Sequence, residues 1–282
     1  MKTVRTKSEL RDALAEPRRG GTSIGLVPTM GYLHEGHLSL LRAARGECDV
    51  VVMSLFVNPS QFGPGEDLDR YPRDEERDTA LAEREGVDLI FAPSTAEIYP
   101  QGHASYVEVQ GLTEVLEGDP AQRGPEHFRG VATIVAKLLN IVQPDAAYFG
   151  QKDAQQAIVI RRMVRDLDFP VRIEVLPTVR EPDGLALSSR NAYLGPADRE
   201  RAAALSRALG RVRDSALGGS LATALAAARE ELLEAGIEPE YLEARDATDL
   251  TPVAELNGRL VLVAVAAQVG DARLIDNVLI EP

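Results

Sequence analysis

With 282 residues, 44% of them hydrophobic and 27% charged, the chain is long enough to bury one large or two moderate apolar cores. Its single cysteine, Cys48, excludes a disulfide framework and a multi-cysteine metal cluster. A formal net charge of −13, from 44 acidic against 31 basic residues, opposes a polyanion and excludes nucleic acid as the expected partner.

The first ten residues, MKTVRTKSEL, lack the apolar segment of a signal peptide. No apolar window approaches the roughly twenty residues needed to cross a bilayer, so a cytoplasmic protein without a membrane span is expected. SIGLVPT (23–29) is the first short apolar run of the kind buried in parallel sheets, and the helical pattern LSLLRAARGE follows it. DVVVMSLFV (49–57) is the second such run, followed by the helical DEERDTALAERE, and VDLIFAP (87–93) is the third. The helical RGVATIVAKLLNIV precedes the run AAYFG (146–150), and the helical AQQAIVIRRMVRDL lies between AAYFG and VRIEVLPT (171–178). This alternation predicts an α/β fold with a Rossmann-like doubly wound parallel sheet over residues 1–183. Residues 184–282 differ: ADRERAAALSRALGRVRDSAL and ATALAAAREELLEA read as two amphipathic helices separated by GGS at 218–220. YLEARDAT and RLVLVAVAAQVGDARLIDNVLIEP read as strands with turns, giving a smaller C-terminal α+β domain.

In PTMGYLHEGHLSLL (28–41), Pro28, Thr29, Met30 and Gly31 form the turn after the first strand, and His34 and His37 stand where the next helix begins. The crevice beyond the carboxyl ends of parallel strands binds ligands, and the N–H groups of a helix N-terminus attract anions, which points to phosphate. The plainer alternative makes both histidines surface or capping residues, and an HxxH zinc site lacks an evident third ligand. FVNPSQFGPGEDLDRYPRD (56–74) carries Asn58 and Gln61, then a Gly/Pro/Asp segment suited to a mobile lid whose acidic charges should face solvent when closed. In GQKDAQQ (150–156), Gly150 makes a turn and Lys152 offers a point charge for phosphate. Asp153 either caps the next helix or sits near a metal, and Gln156 lies on that helix's first turn. DGLALSSRN (183–191) places Ser188 and Ser189 beside Arg190. Taken singly, each stretch is also compatible with ordinary loop chemistry. Jointly they follow strands of one sheet, where residues distant in sequence can face a common crevice.

HEGH at 34–37 resembles the HxGH signature of the nucleotidylyltransferase superfamily, and LSSR at 187–190 is similar to its second, mobile phosphate-binding motif. The longer series VPTMGYLHEGHLSL, VNPSQF, YPRD, FAPS, EIYP, HFRGV, VQPD, FGQKDAQQ, DGLALSSRN and GDARLIDN resembles the pantothenate synthetase (pantoate-β-alanine ligase) family, in this order along nearly the whole chain. The resemblance implies an ATP-dependent condensation of pantoate with β-alanine through a pantoyl adenylate, releasing AMP and pyrophosphate, in a cytoplasmic homodimer using Mg²⁺. It implies ATP contacts from Met30, Gly31, Tyr32, Leu33, His34, Glu35, Gly36, His37, Gly150, Gln151, Lys152, Asp153, Val179, Leu187, Ser188, Ser189 and Arg190. His37, His34 and Lys152 would be catalytic, and Gln61 and Gln156, with Asn58, would bind substrate. Asp78 would help hold the metal, and the C-terminal domain would close over the active site. Ala154 departs from the family's frequent aromatic residue before the paired glutamines. Neutral glutamines, rather than further basic residues, favour a carboxylate acceptor over a phosphorylated alcohol, the rival within the superfamily. A nucleotide-sensing module that binds ATP without consuming it is the rival outside enzymes.

Overall fold

The computed structural model describes residues 1–216 and 218–281 and divides the chain into two compact units. One comprises Met1–Gly150 with Gln155–Leu176; the other comprises Gln151–Ala154 with the chain from Pro177 onward. The junction thus falls seven residues before the 183/184 boundary expected from sequence, and the four residues after Gly150 count with the second unit.

The first unit holds β1 (Lys2–Val4), α1 (Lys7–Arg19), β2 (Ile24–Thr29), α2 (Glu35–Glu47), β3 (Val50–Leu55), α3 (Glu75–Arg84) and β4 (Leu89–Phe91). It continues with α4 (Thr95–Ile98), α5 (Pro125–Val142), β5 (Ala146–Gly150), α6 (Ala154–Asp166) and β6 (Arg172–Leu176). The six strands pair in parallel in the order β1-β4-β3-β2-β5-β6. Alternate strand residues Val27, Val51, Met53, Ile90 and Tyr148 pack against Leu40, Leu41 and Ala44 of α2 and Ala82 of α3. The intervening Leu26, Val52, Phe91 and Phe149 point to the opposite face and are buried too, and α5 packs on β2 and on α1. Helices on both faces make the sheet doubly wound, as the apolar runs predicted. From β2 the chain moves outward through β3 to β4, then returns by α5 to β5 on the other side of β2. The topological switch point therefore lies at the ends of β2 and β5, where Thr29 and Gly150 sit.

The second unit is built from α7 (Pro196–Ala216), α8 (Leu221–Glu234), β7 (Pro239–Asp246), β8 (Val261–Val269) and β9 (Ala272–Ile280). The strands form an antiparallel sheet, β7-β8-β9, whose apolar side packs against Leu205, Leu209 and Val212 of α7 and Ala224, Ala228 and Leu232 of α8. The predicted helix ending at 217 and the predicted strand region ending at 282 each have their last residue outside the described residues. Among the described residues no helix is long and apolar enough to cross a membrane.

Candidate functional site

At the end of β2 the backbone turns through two successive left-handed residues, Gly31 (φ 88°) and Tyr32 (φ 53°). A Cβ on residue 31 would lie 2.7 Å from Leu55 Cδ1 and 2.9 Å from Asp78 Oδ2, so both the conformation and the space demand glycine. Tyr32 carries strain of order 1–3 kcal/mol, and helix α3 holds it there. The Asp78 carboxylate accepts N–H bonds from Tyr32 (2.6 Å) and Leu33 (2.7 Å). Neighbouring Arg77 donates to the Leu33 carbonyl (2.9 Å) and lies over the Tyr32 ring. Asp78 is 1% exposed, and burial pushes its carboxyl up from the ordinary range against the opposing pull of the two N–H bonds.

The strained turn delivers the chain into α2 with His34 as N-cap. His34 Nδ1 accepts from the Gly36 N–H (3.2 Å), and His37 Nδ1 accepts from the His34 N–H (3.3 Å), a capping box made of two imidazoles with centroids 4.1 Å apart. An Nδ1 that accepts a backbone N–H has no proton, so in each ring the proton sits on Nε2. The capping alternative and the chemical one are therefore compatible: one nitrogen of each ring fixes the helix start, and the other is an oriented donor at the positive end of α2.

Beyond β3, Asn58 is 1% exposed and fully engaged. Its Oδ1 accepts from Ser60 Oγ (2.8 Å), Ser60 N (3.3 Å) and Tyr99 Oη (2.8 Å). Its Nδ2 donates to the Gly130 carbonyl (3.1 Å) and to Gln61 Oε1 (3.1 Å). Such an amide has nothing left for a substrate, so the substrate-binding role expected for Asn58 is corrected to one of holding Gln61. Gln61 Nε2 lies 3.2 Å from Met30 Sδ, which brings together two residues expected to bind ligand. A cavity of about 300 Å³, lined in part by Met30, Gly31, Phe56, Arg73, Asp78 and Ser94, opens beside this turn. Of the paired glutamines on α6, buried Gln155 ties down the 112–117 loop through Leu112 O, Val115 O and Glu117 N, whereas Gln156 is half-buried on the first turn.

In the segment expected to act as a lid, Glu66 is half-buried. Its carboxylate is gripped on two oxygens by Arg123, which also contacts His127 Nε2 (3.2 Å), and His127 Nδ1 meets the Gln61 carbonyl (2.7 Å). Since a guanidinium only donates and a carbonyl only accepts, His127 is the neutral Nδ1–H tautomer. Burial, aided by the Arg123 charge, lowers its pKa to about 4. Unfolded histidine takes up a proton near 6.5, so acid favours the unfolded chain. The stabilisation is whole above pH 6.5 and is lost as pH falls toward 4, about 3 kcal/mol in all. Urea midpoints of the native chain and of His127→Gln at pH 7 and pH 5 check this; the glutamine variant should lose much less stability on acidification.

In the second unit, Lys152 forms an ion pair with Asp153 at 3.7 Å. The turn carrying it is held by Asn277 of β9, whose Nδ2 donates to the Gln151 and Lys152 carbonyls (3.0 and 2.9 Å) while its Oδ1 accepts from Gln151 Nε2 (2.9 Å). Val179 and Leu187 are joined by a backbone bond of 3.0 Å across a hairpin. That hairpin leads into Ser188, which accepts the Arg190 N–H and starts the turn Ser189–Tyr193.

The family described as pantoate-beta-alanine ligase matches residues 2–279. The chain belongs to this family. It is 57% identical over 284 residues to the pantothenate synthetase of Moorella thermoacetica, covering 100% of this chain and 99% of the relative. The crystal structure of the Thermus thermophilus pantothenate synthetase is similar along 100% of both chains, at 53% identity and a TM-score of 0.94. The Francisella tularensis pantoate-beta-alanine ligase complexed with beta-gamma ATP and beta-alanine covers 99% of this chain and 97% of its own, at 34% identity and a TM-score of 0.82.

The metal role expected for Asp78 does not fit its surroundings, because both carboxylate oxygens already accept backbone N–H bonds in a buried site. Among the described residues no group of three or more His, Cys, Asp or Glu is placed to hold an ion. Sequence reasoning assigned no role to Arg123, His127, Tyr99, Asp276 or Asn277. For all but Arg123 the signal lay in HFRGV, EIYP and GDARLIDN, runs that carried the family resemblance without a chemistry attached; Arg123 lies outside them.

Proposed function

We propose that this chain, an ATP-dependent ligase by family, joins pantoate to β-alanine in two steps. A carboxylate oxygen of pantoate bonds to the α-phosphorus of ATP as the bond to the β-phosphate breaks and pyrophosphate leaves. The β-alanine nitrogen then bonds to the acyl carbon of the pantoyl adenylate, loses a proton, and AMP departs with the former carboxylate oxygen. The observation that supports this best is the imidazole pair, which presents two Nε2–H donors of fixed tautomer at the N-terminus of α2. Donors set in advance stabilise charge building on phosphate oxygens without reorganising.

In this proposal His34 and His37 act on the α-phosphate, Lys152, Ser188, Ser189 and Arg190 on the leaving pyrophosphate, and Gln61 and Gln156 on pantoate. Uncharged amides hold the pantoate hydroxyl and carboxylate without an ion pair that would quench the nucleophile. Met30, Gly31, Tyr32, Leu33, Glu35, Gly36, Gly150, Gln151, Asp153, Val179 and Leu187 are assigned nucleotide contacts in the same proposal. The 62–72 loop, latched through Glu66 to Arg123, keeps water from the adenylate. The working form is proposed to be a cytoplasmic homodimer. The test mixes the protein with ATP, Mg²⁺ and pantoate while omitting β-alanine. A burst of pyrophosphate stoichiometric with protein, with an acyl adenylate in the quench, is expected; pyrophosphate released only once β-alanine is added would overturn the two-step order.

A further inference from the structure

The run GDARLIDN ends in two adjacent polar residues, Asp276 and Asn277, in the middle of β9, paired with Val265 and Ala264 of β8. Both are buried, at 4% and 5% exposed, which breaks the alternation expected of a strand with one wet face. Burying two polar side chains side by side is costly unless each is fully bonded, and here each is. Because successive side chains leave a strand on alternate sides, the pair grips two different segments. Asp276 receives both terminal nitrogens of Arg180, at 2.6 and 2.9 Å, and Arg180 also donates to the Gly184 carbonyl at 3.1 Å. Arg180 is the bridge partner of Ala186, so this ion pair fixes the hairpin that runs into Leu187, Ser188, Ser189 and Arg190. Asn277 fixes the other segment, its side-chain amide making three bonds to Gln151 and Lys152. The two grips are coupled, since the Asn277 N–H donates to Asp276 Oδ1 at 2.7 Å.

We propose that Asp276 and Asn277 are positioning residues for adenylate formation: one strand dipeptide registers the Lys152 turn against the Ser188–Arg190 segment. The proposal rests on the phosphate role given above to Lys152. A bidentate carboxylate-guanidinium pair is a geometric clamp as much as an ionic one, and an amide that both donates and accepts fixes a turn in position and in rotation. Small misplacement of a charge-stabilising group lowers the rate steeply, so residues that touch no substrate can still control the step.

The test compares Asn277→Ala, Lys152→Ala and the double variant for pyrophosphate release with saturating pantoate, alongside thermal denaturation of each. Asn277→Ala should lower kcat/KM for ATP by about thirtyfold, leave KM for β-alanine within about twofold, and retain a cooperative melt. In the Lys152→Ala background the same substitution should lower the rate by less than about threefold, because the group it positions is gone. Equal losses in both backgrounds would overturn the proposal by showing a general structural role. Unchanged turnover in Asn277→Ala would also overturn it. An undiminished rate in Lys152→Ala would instead defeat the phosphate assignment on which it rests. Arg180→Lys keeps the charge and loses the two-toothed grip; it should show the same selective loss toward ATP, and a native kcat/KM there would overturn the Asp276 half.

Discussion

His37→Ala should lower pyrophosphate release by at least about a hundredfold, the scale of losing one oriented donor to a transition state. The difficulty is that His37 does two jobs. Its Nδ1 accepts the His34 N–H, so alanine also removes a cap, worth about 1 kcal/mol. Glutamine separates them, because the third helical residue of a capping box is ordinarily Glu or Gln and its side chain reaches the same N–H. His37→Gln should therefore recover most of the melting temperature lost in His37→Ala while leaving the rate at least about a hundredfold down. A glutamine variant that regained both would reduce His37 to a helix cap and leave the chemistry to other groups. Single-turnover measurement of the adenylate, rather than steady-state turnover, is the readout that isolates this step.

The strands and helices that position the site were legible wherever burial made the pattern strong. Apolar runs such as SIGLVPT and DVVVMSLFV became β2 and β3 because strands covered on both faces have no polar alternation. Residues 2–19 escaped for the opposite reason. Helix α1 buries only Leu10 and Leu14, contains Pro17, and is mostly polar, so few large apolar side chains mark its buried face. The readable sign was its capping box, Thr6 with Glu9, each bonding the other's backbone. At the site, the types of residue were informative and their division of labour was not. Two histidines at i and i+3 announce a shared helix face, but only the N-cap geometry shows that Nδ1 is spent on the backbone and Nε2 carries the proton. An aspartate four residues into α3 looks like a metal ligand or a solvated charge, and only its bonds to Tyr32 and Leu33 show a clasp on a strained turn. Asn58 and Gln61 stand three apart in one motif, yet five hydrogen bonds make the first a support, while the second keeps its amide nitrogen beside Met30. Such facts belong to contacts between segments about forty to seventy residues apart, which no local pattern encodes.

Gly130 gives the sharpest test of that support. It lies in α5, where glycine is about 1 kcal/mol worse than alanine for the helix alone, so on propensity a substitution should stabilise. The packing reverses the sign. A Cβ at residue 130 would fall 2.3 Å from the Ser60 carbonyl oxygen and 2.7 Å from the Gln61 Cα, both backbone atoms that cannot rotate away. Either α5 or the 58–61 turn must shift, and the Asn58 bond to the Gly130 carbonyl shifts with it. Gly130→Ala should therefore cost about 3 kcal/mol, the upper end of ordinary overpacking, read as a lower urea midpoint. Displacing the turn also displaces Gln61 and the carbonyl that meets His127, so kcat/KM for pantoate should fall by about a hundredfold. The change should fall more heavily on pantoate than on ATP, because the nucleotide contacts assigned to the Lys152 turn belong to the other unit. Equal losses for both substrates would mean that the substitution damages the protein generally. A native urea midpoint would mean that α5 and the 58–61 turn can separate without cost, removing the basis for treating Asn58 and Gly130 as the frame that holds Gln61.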